Sequence, residues 1–152
     1  MSQPEHILKV NNRLGETPIW EPDEKVLYWV DWGGEPSCRL DPATGEFKTF
    51  PIENPITAIA RRASGGLIAI GQNGIYGWDP ETNKYVEIYG TIKPENKAFI
   101  YNDCAVDRQG RLLVGTLNFD DPFEPVGSLC RLDPDGSMHK LDTGYKTTNG
   151  IG

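Results

Sequence analysis

Only three cysteines and two histidines occur among the 152 residues. Cys38, Cys104 and Cys130 cannot all pair and show no CxxC spacing, so they read as reduced, buried, small apolar residues. His6 and His139 each stand alone, and no GxSxG motif is present. A Ser/His or Cys/His nucleophile therefore has little to assemble from, and both histidines read as surface residues. Zinc ligation by His and Cys also lacks suitable spacing. Positive charge is scarce: 15 Lys and Arg face 22 Asp and Glu, a net charge of −7, with no basic cluster. That argues against nucleic acid or an anionic membrane as a partner. No apolar run approaches the roughly 20 residues a membrane span requires. The opening MSQPEHILKV lacks the apolar core of a signal peptide, so the expected location is cytoplasmic. Sustained i, i+3, i+4 apolar patterning is missing too, because Asp-Pro and Gly interrupt every candidate window.

What is abundant is turn chemistry, with 17 glycines and 12 prolines. The chain repeats one grammar three times: CRLDPATGEFKTF at 38–50, YGWDPETNKYVEI at 76–88 and CRLDPDGSMHKL at 130–141. Each has an apolar run, an Asp-Pro turn with a residue that tolerates positive φ, and a second alternating run, as in a hairpin. Earlier in each unit come EKVLYWVD at 24–31, SGGLIAIG at 64–71 and QGRLLVGT at 109–116, each reading as a buried inner strand. Leu27, Leu67 and Leu112 correspond at spacings of 40 and 45. A period of roughly 40–50 residues with about four strands per unit predicts an all-β fold of the β-propeller type. The expected blades are 13–50, 51–98 and 99–147, with a fourth beginning at 148–152. Residues 90–101 and 118–127 read as the longest loops.

Three blades cannot close a ring that typically carries about four to eight. The expectation is thus a fragment, the N-terminal half of a propeller, or a chain completed by a second chain or a missing half. HILKV at 6–10 would then be a closing strand without its partner, frayed or paired with another molecule.

Polar residues break the repeat in three places: Glu16 in LGETPIW, Asn102 and Asp103 in YNDCAVD, and Asn149 in TTNGIG. In a propeller the entrance to each innermost strand faces the channel, so these residues from successive units would converge. Glu and Asn oxygens gathered there suit a hard divalent cation such as Ca²⁺, Mg²⁺ or Mn²⁺. The same residues also read as a solvated turn acid and as turn caps, and residue type and spacing leave both readings open. DPDGS at 133–137 echoes an EF-hand loop without its later ligands and reads as a hairpin turn. Of the four tryptophans, Trp32 beside Gly33-Gly34 is the one expected at the channel mouth, and packing between blades is expected for most of the others.

LGETPIW with LYWVD, NDCAVDRQGRLLVGTL, GSLCRLDPDGS and NGIG together resemble the regucalcin/senescence-marker-protein/gluconolactonase family, in order from about residue 13 to the last. The resemblance implies a six-bladed propeller with one divalent ion in its channel, Ca preferred and Mg, Mn or Zn as alternatives, that hydrolyses sugar lactones. It implies Glu16 and Asn149 as metal ligands, although Thr17 replaces the usual Gly. It implies Asn102, Asp103 and Asp120 on the substrate side, Asp103 orienting its loop. The family's general-base Asp would lie about one blade beyond residue 152, so the catalytic base is not among these residues and the isolated chain is expected to be inactive. Ile100 stands where some members have a substrate-binding Arg, and Cys104 where Gly is common. A non-catalytic propeller that docks a partner, as LYWVDW also suggests, and a calcium-binding protein without catalysis are the competing readings.

Overall fold

The computed structural model describes residues 3–34, 36–52, 55–92 and 98–152. Every regular element in them is a β-strand, and no helix among them could cross a membrane. The first sheet holds β1 (Gly15–Glu21), β2 (Val26–Asp31), β3 (Pro36–Leu40) and β4 (Phe47–Pro51). The second holds β5 (Ile56–Arg61), β6 (Leu67–Gly71), β7 (Gly74–Asp79) and β8 (Lys84–Tyr89), and the third β9 (Phe99–Val106), β10 (Leu112–Asn118), β11 (Gly127–Leu132) and β12 (Met138–Tyr145). Each is an antiparallel meander in sequence order. The first strands β1, β5 and β9 lie side by side. The apolar runs that read as inner strands are therefore second in each sheet, flanked on both edges.

The turns form where local chemistry predicts. The Asp41 carboxylate accepts the Ala43 amide at 2.8 Å, and the Asp79 carboxylate accepts the Glu81 amide at 2.9 Å. In DPDGS, Gly136 donates its amide to the Asp133 carbonyl at 2.9 Å, an ordinary tight turn between β11 and β12. His139 is exposed there, paired with Asp133 at 3.1 Å. Residues 99–101 of the anticipated 90–101 loop belong instead to β9, because the apolar FIY is buried and pairs with Asn118, Leu117 and Thr116 at the end of β10; residues 93–97 lie outside the described residues.

Alternation puts one face of each sheet against its neighbour. Val26, Tyr28 and Val30 of β2 meet Ile59, Leu67, Ala69 and Trp78 of the second sheet. Ile70 and Ile75 of the second meet Tyr101, Val114 and Cys130 of the third. Residues 6–10 form no strand. Leu8 and Val10 instead cover Trp29, Cys38 and Leu40 on the far face of the first sheet, and Asn12 accepts the Trp29 indole N–H at 2.9 Å.

All three cysteines are free and buried. Burial pushes the Cys38 thiol up to about 11 and the Cys104 thiol to about 12, and raises that of Cys130. Thiolate is the reactive form. A thiol-reactive aromatic disulfide at pH 8 is therefore expected to find no cysteine in the native chain within minutes, and all three after unfolding. Titration of any one before unfolding would place it outside these packed faces.

Candidate functional site

Each first strand carries one slip in its pairing, near its beginning on β1 and β5 and at the middle of β9. On β1 it falls between Glu16 and Ile19, on β5 between Ile56 and Ala58, and on β9 it places Asn102 and Asp103 opposite the single residue Gly115. A bulge of this kind leaves a residue out of the ladder and re-aims its side chain. The residues so released are Thr17 with Pro18, Thr57, and Asn102 with Asp103, and Glu16 is the last paired residue before the first of these bulges.

Thr17 has φ 43°, a conformation a β-branched residue rarely adopts and one costing roughly 1–2 kcal/mol. Its hydroxyl oxygen accepts the Ile59 amide at 3.2 Å, tying β1 to β5. The Thr57 hydroxyl lies 3.0 Å from the Tyr101 carbonyl, tying β5 to β9. These two threonines hold the three strand entrances in fixed relation.

Asn102 and Asp103 reach across to the segment after β12. Asn102 Nδ2 donates to the Thr148 carbonyl at 2.9 Å. One Asp103 oxygen accepts the amides of Gly150 at 2.7 Å and Ile151 at 3.3 Å, and the other accepts the Cys104 amide at 2.8 Å. Thr148 is buried with its hydroxyl on the Thr116 carbonyl at 3.1 Å, against the α-carbon of Gly115. A Cβ at Gly115 would stand 2.5 Å from the Thr148 side chain, so the close approach requires glycine there. Asn149 is thus pinned on both sides while its own side chain stays free.

These parts converge on one cavity of about 250 Å³, lined by Glu16, Thr57, Asn102, Asp103 and Asn149 beneath Trp32 and Phe119. Among the described residues, neither the Glu16 carboxylate nor the Asn149 carboxamide has a hydrogen-bond or ionic partner. Two unpartnered hard oxygen donors in one cleft suit a divalent cation with oxygen preference. They are few: no group of three His, Cys, Asp or Glu placed to hold a metal ion occurs among the described residues. Asp103 is already committed to backbone amides.

Asp120 is exposed and does not line this cavity. Its amide caps the Asn118 side chain at 3.2 Å, and it is the preceding residue, Phe119, that lines the space. Trp32 stands at the mouth, edge-on to Phe119 with ring centroids 5.7 Å apart. Thr57 escaped the sequence reading because ITAIA is an otherwise apolar run. Its counterpart positions Glu16 and Asn102 were the available signal.

Asp103→Ala removes the acceptor for three amides. It is expected to cost about 1.5–3 kcal/mol and to speed amide exchange selectively in residues 149–151. Unchanged exchange there, read by mass spectrometry, would mean that Asp103 does not hold the Asn149 segment.

Residues 14–152 match the family described as SMP-30/Gluconolactonase/LRE-like region. The chain is 33% identical over 153 residues to regucalcin from Xenopus laevis, covering 97% of this chain and 50% of that protein. It is 33% identical over 147 residues to pentonolactonase XacC from Haloferax volcanii, covering 96% of this chain and 48% of that protein. Its fold superimposes on a calcium-binding protein, regucalcin, from Agrobacterium tumefaciens with a TM-score of 0.79 at 19% identity, covering 88% of this chain and 44% of that one. The chain spans about half the length of the curated relatives it matches.

Proposed function

This chain belongs to the SMP-30/gluconolactonase/LRE-like family, and from that premise we propose that it serves divalent-metal-assisted hydrolysis of sugar lactones, with calcium the preferred ion. The observation that carries the reading is the shared cavity in which Glu16 and Asn149 present unpartnered oxygens. Those two would hold the ion. Bound there, it supplies a Lewis acid that polarises the lactone carbonyl and stabilises the developing oxyanion.

The chain's own residues do the rest of the positioning. Asp103 fixes the turn that presents Asn149. Asn102 spends one N–H on the Thr148 carbonyl and keeps its carbonyl oxygen and second N–H for ring hydroxyls. Asp120, outside the lining, is assigned to hydroxyls projecting past the rim. The base that deprotonates water is assigned, by the family resemblance, to an Asp about one blade further along. Among the described residues, no acid in the cavity is free for that role besides Glu16.

The test is a sugar-lactone panel followed by pH-stat with divalent metal and then with chelator. Chelator-sensitive turnover supports the reading; turnover indifferent to chelator overturns its metal dependence. Residues 1–152 alone are expected to bind calcium no tighter than roughly 10⁻⁴–10⁻³ M and to turn over little or nothing without a base. Micromolar affinity in a confirmed monomer would contradict this. A calcium-binding role without catalysis is the second reading, favoured by the shortage of a free base; it predicts metal-dependent melting with no turnover from any form of the protein.

A further inference from the structure

Beside the polar cavity lies a larger one of about 490 Å³, within the roughly 300–1,000 Å³ of small-molecule sites. The two share Leu14, Trp32, Thr57 and Phe119 as walls, so a ligand held in one extends into the other. The larger cavity is apolar at its centre. Ile100 lies at its base, only 4% exposed, with Leu14 at the side and the Trp32–Phe119 pair above.

Its polar side chains are few, and some of their capacity is already used. Arg13 donates to the Gly33 carbonyl at 3.2 Å, and the Thr57 hydroxyl is taken up by the Tyr101 and Ile70 carbonyls. Gln72 is the one lining side chain with free amide groups among the described residues. A polyhydroxylated substituent placed here would exchange its hydrogen bonds to water for those that Gln72 and the remaining N–H groups of the exposed Arg13 can offer, leaving the hydroxyls that face Ile100, Leu14 and Phe119 without partners. Hydroxyls desolvated without partners weaken binding, whereas apolar carbon gains from leaving water.

We propose that this cavity is a subsite for an apolar substituent, so that the preferred ring ligand carries an alkyl or aryl group in place of the hydroxylated arm of a sugar lactone. The proposal rests on the lactone reading for the nature of the ring, but its test does not depend on turnover. The chain is titrated, with chelator present throughout, with two tetrahydropyrans that lack an ester: 2-pentyltetrahydropyran and 1,5-anhydroglucitol. Binding is read from tryptophan fluorescence, to which Trp32 in the cavity wall contributes, and checked by calorimetry.

The pentyl compound is expected to saturate at concentrations about tenfold or more below the hydroxylated one. Ile100→Arg should abolish that preference. Because Ile100 is buried and the variant can fail to fold, Phe119→Ala is the second variant; Phe119 is half exposed, and its loss should weaken pentyl binding several-fold while leaving the melting temperature near that of the parent. Equal or reversed affinities, saturation by neither compound, or a Phe119→Ala chain that binds as well as the parent would each overturn the proposal. None of these results bears on whether a lactone is hydrolysed at the metal-holding cavity, so failure of the two readings is distinguishable.

Discussion

Glu16→Ala is expected to erase the thermal stabilisation that calcium confers on this chain. Without metal the change should be nearly silent, within about 0.5 kcal/mol, because the side chain is only half buried and makes no bond that folding depends on. With calcium at ten times its dissociation constant, the parent gains about 1.4 kcal/mol by mass action. For a chain of this length that corresponds to a rise in melting temperature of roughly 3–6 °C. Alanine removes the one carboxylate in the cavity not already held by backbone amides. Asn149 alone is then a single neutral oxygen, and the calcium-dependent shift should vanish. Glu16→Gln keeps an oxygen without its charge and should retain only a fraction of the shift. In a form of the protein that turns over lactone, the same alanine should reduce activity to the chelator-treated background. A variant that keeps the parent's calcium response would show that the ion is held elsewhere.

The second large effect is structural. Trp78→Ala should cost about 3–5 kcal/mol, a large share of the roughly 5–15 kcal/mol that stabilises a domain. Trp78 is 1% exposed between the first and second sheets. Its ring stacks on Tyr85 at 5.7 Å and meets Phe50 and Tyr28 edge-on at 5.3 and 6.2 Å. Its indole N–H donates to Asn83 at 3.1 Å. Two of those rings come from the first sheet, so the truncation opens a cavity at the seam between blades, where relaxation of either sheet alone cannot fill it. Urea unfolding should show the midpoint falling with little change in slope. A loss under about 1 kcal/mol would mean that the seam closes without this ring.

Features governed by near neighbours were open to sequence reasoning. Asp41, Asp79 and Asp133 announce their turns because an aspartate side chain bonds backbone only a few residues away. The strands of VLYWVD, LIAIG and LLVGT announce themselves through β-branched and aromatic runs between such turns. Glu16, Asn102 and Asn149 stood out because each interrupts an apolar pattern at a similar point of its unit. Thr57 occupies the corresponding place in the middle unit and went unseen, since threonine fits an apolar strand and its hydroxyl finds its carbonyls on other strands, Ile70 of β6 and Tyr101 of the next sheet. Residues 6–10 have strand composition, yet strand formation needs a partner edge, and here Leu8 and Val10 settle on Trp29 and Cys38 instead.

The sequence by itself determined an all-β chain of repeating hairpins, because side-chain alternation and turn propensity act over a handful of residues. It also marked the polar positions that depart from that pattern. Which of them share a cavity was decided by tertiary structure, through a bulge that begins next to Glu16, another that releases Asn102 and Asp103 from their ladder, and a glycine at 115 that admits Thr148. The apolar cavity was decided there too. Ile100 on β9 and Phe119 just after β10 lie at one end of the β9–β10 pairing, 19 residues apart in sequence, and Trp32 follows β2 of another sheet. Their meeting depends on how three sheets are fanned around the side-by-side first strands, a long-range packing geometry that local periodicity does not encode.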